Sequence, residues 1–372
     1  LLTLSAVPVV AAVLASVALA SCSAAEFTAS PSAPPSFEDA GGGGEDGASE
    51  APGPVTGTRD PEPNTPPLAV SSAVTVQVQP TDSGAALIAA IRGAKKSVHL
   101  TMYLLTNDVM IDALGDAKKA GKDVKVLLNK TFPSDKDENL PAFNALKSRG
   151  VEVQWAPSGY TFTHAKTILV DGEKAIIMTM NMTETSARTN REYIATDTDP
   201  KDIDDLEKIF AADMTNKSVT VESKLVVSPA SGNILHSARA HLKQFIDSAK
   251  TTLDVEVQSL SDTTIVDAII LAQKASVDVR VVVDAQTLNS RGQKAAVAKL
   301  KEYGVRVRGL KNPDMHAKAL VVDGALAFIG SQNMTPTALD QNREIGLITD
   351  AKAEATKVSQ VIRGDFEKGE DL

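Results

Sequence analysis

Along residues 71–372 the apolar positions switch between a helical and a strand period, and the order of the switches predicts the architecture. Leu87, Ile88, Ile91 and Ala94 fall on one helical face, after which Val98 to Leu104 reads as a strand. A second helical stretch runs from about Val109 to Ala120 and stops at Gly121, the residue type wanted just past a helix C-terminus. Val124 to Leu128 is then a short continuous apolar run, as a buried strand is. A helix over Leu140 to Lys147 leads through Gly150 to a strand from Val151 to Trp155. Next the pattern becomes strand, turn, strand: His164 to Val170, Asp171-Gly172, and Ala175 to Met180. An amphipathic helix over Ile203 to Met214 closes the series. Strands separated by helices and ending in a hairpin predict an α/β fold, a mixed β-sheet flanked by helices.

The series is written twice. Thr163-His164-Ala165-Lys166-Thr167-Ile168-Leu169-Val170-Asp171-Gly172 recurs as Met315-His316-Ala317-Lys318-Ala319-Leu320-Val321-Val322-Asp323-Gly324, at an offset of 152 residues. Asn181 matches Asn333 at the same offset, and Asn190-Arg191-Glu192 matches Asn342-Arg343-Glu344. Upstream, Asp123-Val124-Lys125-Val126-Leu127-Leu128 corresponds to Asp278-Val279-Arg280-Val281-Val282-Val283 after a small length change. The body is therefore two copies of one unit, residues 71–218 and 219–372.

Ahead of the body the composition changes. From Leu1 to Ala20 there is no charge, and the apolar run from Leu4 to Leu14 reads as the hydrophobic stretch of a secretory signal lacking its basic start. It closes with Leu19-Ala20-Ser21-Cys22, which resembles the bacterial lipobox, whose cysteine is lipidated. Residues 1–22 are thus expected as an N-terminally incomplete signal peptide, and the chain as exported and lipid-anchored to the cell envelope through Cys22. Residues 23–70 are rich in Pro, Gly, Ser and acid and predict a disordered tether. Eight acidic residues and one basic residue stand in residues 1–70, so 37 basic and 39 acidic remain for the body. A net charge of −2 there is not the basic footprint of a protein that grips nucleic acid non-specifically. Cys22 is the only cysteine, which excludes an intrachain disulfide and a thiolate metal cluster.

The duplicated residues carry the chemistry. On a strand, residues two apart share a face, so His164 lies beside Lys166 and His316 beside Lys318. Two copies facing across a pseudo-two-fold axis bring both pairs to one cleft with Asn181 and Asn333. Ammonium and amide groups suit the non-bridging oxygens of a phosphodiester. One imidazole attacks phosphorus while the other protonates the leaving oxygen, a scheme that needs no metal or cofactor.

The pattern HxKxxxxD, present twice and followed by Asn and then Glu, resembles the phospholipase D superfamily over essentially all of residues 71–372. The resemblance implies two pseudo-symmetric domains with the active site at their interface and both half-sites in one monomeric chain. It further implies a phosphohistidine on His164, with His316 as general acid and base. Lys166, Lys318, Asn181 and Asn333 then bind phosphate together with the hydroxyls of Thr179 and Ser331. Asp171 and Asp323 support the turns, and Glu192 and Glu344 bond histidine Nδ1, leaving Nε2 to react. The second copy has Gly330-Ser331-Gln332-Asn333, the usual form of its motif. The first has Met178-Thr179-Met180-Asn181, with bulk where glycine would let the backbone approach phosphate.

The remaining candidates read as structure. His99, His236 and His241 have no such frame, Trp155 reads as strand core, and Tyr160 and Phe162 stand close enough to His164 to line a cleft. The function expected is hydrolysis of phospholipids, or exchange of their head groups, at a membrane. An endonuclease of the same superfamily acting on DNA or RNA is the second choice. A non-catalytic envelope lipoprotein is the third, and the intact His-Lys pairs argue against it.

Overall fold

The computed structural model describes residues 54–55, 57–59, 67–134, 136–221, 223–230, 233–234 and 237–372. The first repeat runs β1 (Val74–Gln79), α1 (Ala85–Gly93), β2 (Ser97–Met102), α2 (Asp108–Lys119), β3 (Asp123–Leu128), α3 (Leu140–Ser148) and β4 (Glu152–Trp155). It continues with β5 (Lys166–Val170), β6 (Lys174–Met178), α4 (Glu184–Thr189), β7 (Asn190–Asp197) and α5 (Pro200–Met214). The second repeat runs β8 (Thr220–Val221), β9 (Val226–Ser228), β10 (Asn233–Ile234), α6 (Ala238–Asp247), β11 (Thr252–Val257), α7 (Thr263–Lys274) and β12 (Asp278–Asp284). After α8 (Arg291–Glu302) come β13 (Arg306–Leu310), β14 (Asp314–Met315), β15 (Lys318–Val322), β16 (Leu326–Gly330), α9 (Pro336–Asp340), β17 (Glu344–Thr349), α10 (Lys352–Lys368) and β18 (Glu370–Asp371).

Each repeat builds one sheet, and the two sheets have one topology. The first is ordered β1-β7-β6-β5-β2-β3-β4; the second is β9-β17-β16-β15-β11-β12-β13, with β18 on its outer edge. Strands β2, β3 and β4 are parallel, linked by helical crossovers, whereas β5, β6, β7 and β1 run antiparallel. This is the mixed α/β duplication predicted. Each hairpin turns through three residues, the first two at positive φ: Asp171 and Gly172 have φ of 60° and 66°, Asp323 and Gly324 of 54° and 62°.

One apolar core joins the repeats. It takes Ala165, Leu169, Ile177 and Tyr193 from the first sheet and Ala317, Val321, Ile329 and Ile345 from the second. Strands β5, β6 and β7 thereby face β15, β16 and β17. The opposite face of each sheet is covered by its own helices, α1 to α3 in the first repeat and α6 to α8 in the second.

Three expectations need correction. Strand β5 starts at Lys166, so His164 precedes it, because its backbone N–H bonds across to the other repeat instead of along the hairpin. Helix α4 and strand β7 were not anticipated; β7 opens with Asn190-Arg191-Glu192, a polar run whose burial depends on partners in the second repeat. The boundary at residue 70 lies too far along the chain. Val55, Leu68 and Val70 pack on the core of the second repeat, and the Arg59 guanidinium donates to the Asp247 carbonyl at 2.8 Å. Residues 1–22, Cys22 included, and most of 23–70 lie outside the described residues. Among the described residues no helix is long and apolar enough to cross a membrane.

Candidate active site

The segment ahead of each histidine is fastened to the other repeat. Thr163 bridges Arg343, and the N–H groups of His164 and Ala165 both donate to the Arg343 carbonyl at 2.9 Å. In mirror image, β14 pairs with Asn190-Arg191 at the start of β7. Each histidine therefore arrives one residue away from a glutamate of the opposite copy. His164 Nδ1 lies 2.8 Å from Glu344 Oε2, and His316 Nδ1 lies 2.6 Å from Glu192 Oε1. Both carboxylates are fully buried, and the imidazoles are 4% and 3% exposed. A carboxylate at Nδ1 favours the tautomer with the proton there and fixes the orientation of the ring.

The two lysines are fully buried and turn back on their own histidines. Lys166 Nζ donates to the His164 carbonyl at 2.8 Å, and Lys318 Nζ to the His316 carbonyl at 2.9 Å, within 3.2 Å of His316 Nε2. Asn181 is fully buried with neither amide atom hydrogen-bonded, and the buried Asn333 has an unpartnered Oδ1. Buried amides are normally satisfied, and of these open atoms Asn181 Nδ2 is the one able to donate to an anion. Thr179 and Ser331 hold the glutamate strands: their hydroxyls accept from the N–H of Tyr193 at 2.9 Å and of Ile345 at 3.0 Å. Thr179 also donates to Glu192.

Asp171 and Asp323 sit at the far end of the hairpins. Asp171 accepts from the N–H groups of Lys95, Lys96 and Ser97, and Asp323 from those of Lys250, Thr251 and Thr252. Burial raises both carboxyls, but these donors prevail and hold them below the ordinary carboxylate range. The aspartates thus pin the starts of β2 and β11. Gly330 is also explained by packing: an added Cβ would meet Gly346 Cα at 2.7 Å and Phe328 at 2.8 Å. In the first copy the equivalent cross-strand pair is Met178 and Ile194, so side chains replace both glycines there. Packing against β17 is thus a reason of its own for the glycine.

Several contributors were missed. Tyr103 meets His164 edge-on with ring centroids 4.6 Å apart, and Lys166 Nζ lies 4.9 Å from the Tyr103 ring. With Leu104, Phe132 and Phe162 it forms a small apolar cluster, in which Phe162 meets the Tyr103 ring edge-on at 6.0 Å. Arg191 and Arg343, noticed only as part of a repeated triplet, bridge the repeats: Arg191 Nε is 2.5 Å from Asp365, and Arg343 Nε is 3.0 Å from Asp213. Asp213 and Asp365 recur at the offset of 152 seen in the motif, the one signal that would have found them. Tyr160 belongs to this bridge, its hydroxyl 3.3 Å from Asp213; burial and that carboxylate push its pKa up to about 12. Trp155 stacks on Phe143 at 4.2 Å. His99 lies between Glu207 and Asp123 and stacks on Phe210, and His241 is buried on α6. His236 lies outside the described residues.

Among the described residues no group of three or more His, Cys, Asp or Glu side chains is arranged to hold a metal ion. What the interface provides is two oriented imidazoles, two ammonium groups and the open amide of Asn181, the equipment of a phosphodiester-cleaving enzyme. The family profile described as "Cardiolipin synthase, PLD-like domain" matches residues 87–214 and again 242–368. The chain belongs to this family, within the phospholipase D superfamily of phosphodiesterase-type enzymes. It is 26% identical over 313 residues to the minor cardiolipin synthase ClsB of Bacillus subtilis (strain 168), spanning 76% of this chain and 78% of that one. It is 32% identical over 118 residues to the mitochondrial cardiolipin hydrolase of Danio rerio, a match covering 31% of this chain and 51% of the relative. The phosphatidylserine synthase of Haemophilus influenzae Rd KW20 superposes with a TM-score of 0.63 at 13% identity, covering 82% of this chain and 89% of that one, which shows the shared fold.

Proposed function

We propose that the protein is a metal-independent phospholipase D-type phosphodiesterase, exported and anchored through Cys22, that releases or exchanges phospholipid head groups. The observation that carries the proposal is the reciprocal pairing of each histidine Nδ1 with the other repeat's glutamate. In the reading adopted, His164 Nε2 attacks phosphorus and the bond from phosphorus to the head-group oxygen breaks. His316 gives its proton to that oxygen. Water then enters, His316 takes its proton, and the phosphorus–nitrogen bond breaks to leave phosphatidic acid. A primary alcohol entering instead of water gives a new phosphodiester. Lys166, Lys318, Asn181 and Asn333 supply the cations and donors that a five-coordinate phosphorus needs. The near-neutral body and the apolar cluster beside His164 support a lipid over a nucleic acid.

The test is the full chain in detergent–phospholipid micelles, with single-stranded DNA in parallel. Head-group release should be accompanied by phosphatidic acid, and ethanol should divert product to phosphatidylethanol. His164→Ala and His316→Ala should each lower turnover by roughly 10³-fold or more, and the double variant should be little worse, because the two act as a unit. Cleavage of DNA without lipid turnover would replace this reading with the nuclease; half activity in each single variant would mean two independent sites.

A further inference from the structure

The two histidines are chemically equivalent, but their surroundings are not. Counting along the matched strands, Tyr103 after β2 corresponds to Gln258 after β11, and Asn129 after β3 to Asp284 at the end of β12. Phe162, two residues before His164, corresponds to Asp314, two residues before His316. The His164 side is thus aromatic, and the His316 side is made of hydrogen-bond acceptors.

The acceptor side is a built surface. Gln258 N–H donates to the Ala317 carbonyl at 2.9 Å, which fixes it beside His316. The Thr287 hydroxyl lies 3.1 Å from the Gln258 carbonyl and 3.2 Å from that of Asp284, and Gln286 Nε2 donates to Asp314 at 3.1 Å. Within this frame Gln258 is 8% exposed and its Oε1 is buried with no hydrogen-bond partner. Asp284 is 6% exposed, and one of its oxygens accepts from the Gln286 N–H at 2.9 Å. Two carboxylates and an orphaned amide oxygen call for a donor-rich, positively charged ligand.

Resting on the catalytic reading above, we propose that Asp284, Asp314 and Gln258 form the head-group subsite and select an ammonium-bearing alcohol. In-line displacement puts nucleophile and leaving oxygen at opposite apices of phosphorus. With His164 as nucleophile, the leaving head group lies on the His316 side, against the acceptors. The diacylglycerol oxygen is equatorial, so its chains leave sideways, and the apolar cluster of Tyr103, Phe132 and Phe162 is the surface that suits them. An ammonium within reach of Asp284 and Asp314 gains charge-assisted hydrogen bonds, and Gln258 Oε1 accepts a further hydrogen bond from it. A neutral glycerol head group has only hydroxyls to offer.

The experiment compares phosphatidylethanolamine with phosphatidylglycerol, each at one mole fraction in nonionic micelles, for the full chain and its Asp284→Asn variant. Asparagine keeps an oxygen for the Gln286 N–H, so the loop is held while the charge goes. The wild type should prefer the ethanolamine lipid in kcat/KM, and Asp284→Asn should lower the ratio of the two values about tenfold, as loss of one charged hydrogen bond does. Calorimetric titration with glycerophosphoethanolamine and glycerophosphoglycerol reads the same preference without turnover. Tighter, Asp284-dependent binding of the ethanolamine diester by a chain that cleaves neither lipid would uphold the subsite and overturn the catalytic reading. Cleavage of both lipids with a ratio unchanged by Asp284→Asn would overturn the subsite and leave the catalytic reading standing. Equal binding of the two diesters would also overturn it.

Discussion

Glu256 is a buried carboxyl that the chemistry above does not use, and it makes stability depend on pH in a way that can be worked out beforehand. It lies on β11, fully buried, with Tyr193 Oη donating to its Oε2 at 2.5 Å and its Oε1 without a partner. Burial first, and the nearby charge of Asp365 second, push its pKa from 4.5 to about 8, against the opposing pull of Tyr193 and Arg191. Between those two values the folded chain holds a proton that the unfolded chain has lost. Stability therefore falls as pH rises from the lower value toward the upper. The full difference converts at about 1.4 kcal/mol per pH unit to about 5 kcal/mol; because Asp365 shares the site, we take about 2–5 kcal/mol.

Glu256→Gln removes the titration while keeping size and polarity. Urea unfolding followed by the fluorescence of the single tryptophan, Trp155, should give nearly equal stabilities for variant and wild type at pH 5. At pH 9 the variant should be more stable by about 2–5 kcal/mol. Other groups that titrate in this interval, Asp202 among them with a pKa pushed up to about 7, are common to both chains and cancel in the difference. A difference that stays flat from pH 5 to pH 9 would show that Glu256 is ionised in the folded state and would refute the reasoning. The first repeat supplies an internal comparison, since Thr101 stands where the second has Glu256.

Two further outcomes follow from the cross-repeat contacts. Glu344→Gln and Glu192→Gln should each lower kcat on the order of 10²–10⁴-fold with little change in Tm, because the imidazole loses the charge that fixes its tautomer; head-group release and thermal unfolding together check this, and unchanged kcat would dissociate the carboxylates from catalysis. Asp213→Ala strands the buried guanidinium of Arg343 and should cost about 3–5 kcal/mol, recovered in part by a second change, Arg343→Met. Additive losses in a double-mutant cycle would show that the pair is not coupled.

Periodicity revealed most of the fold because most elements carry their own pattern. Helix α2 begins at Asn107, whose side chain accepts from the Met110 N–H, and stops before Gly121 at a φ of 82°, both local signals. Strand β7 carries no such pattern. Asn190-Arg191-Glu192 looks like a solvated turn until the second repeat supplies Asp365 and the His316 imidazole as partners. For the same reason the repeated motif disclosed the histidines, lysines and glutamates but not which glutamate serves which histidine. Tyr103 was invisible because it is not repeated: its counterpart is Gln258, and a search for matched residues passes over a mismatch.

That mismatch sits on a scaffold with two jobs on alternate sides of one strand. Along β7, Glu192 points to His316, while Arg191 and Tyr193, its neighbours on the opposite face, reach Asp365 and Glu256. At the start of β17, Glu344 serves His164 and accepts from Asn342 Nδ2 at 3.0 Å, while Arg343, just ahead of the strand, bonds Asp213. The residues that orient the imidazoles are therefore positioned by a backbone whose other face fastens the two repeats together. Neither repeat can complete a histidine–carboxylate pair from its own residues. Small changes in how β7 meets β14, or in how Arg343 ahead of β17 meets the segment before β5, move a glutamate relative to its histidine before they unfold anything. Activity should thus be lost ahead of secondary structure when the interface is weakened, while the flanking loops are left to vary for the substrate.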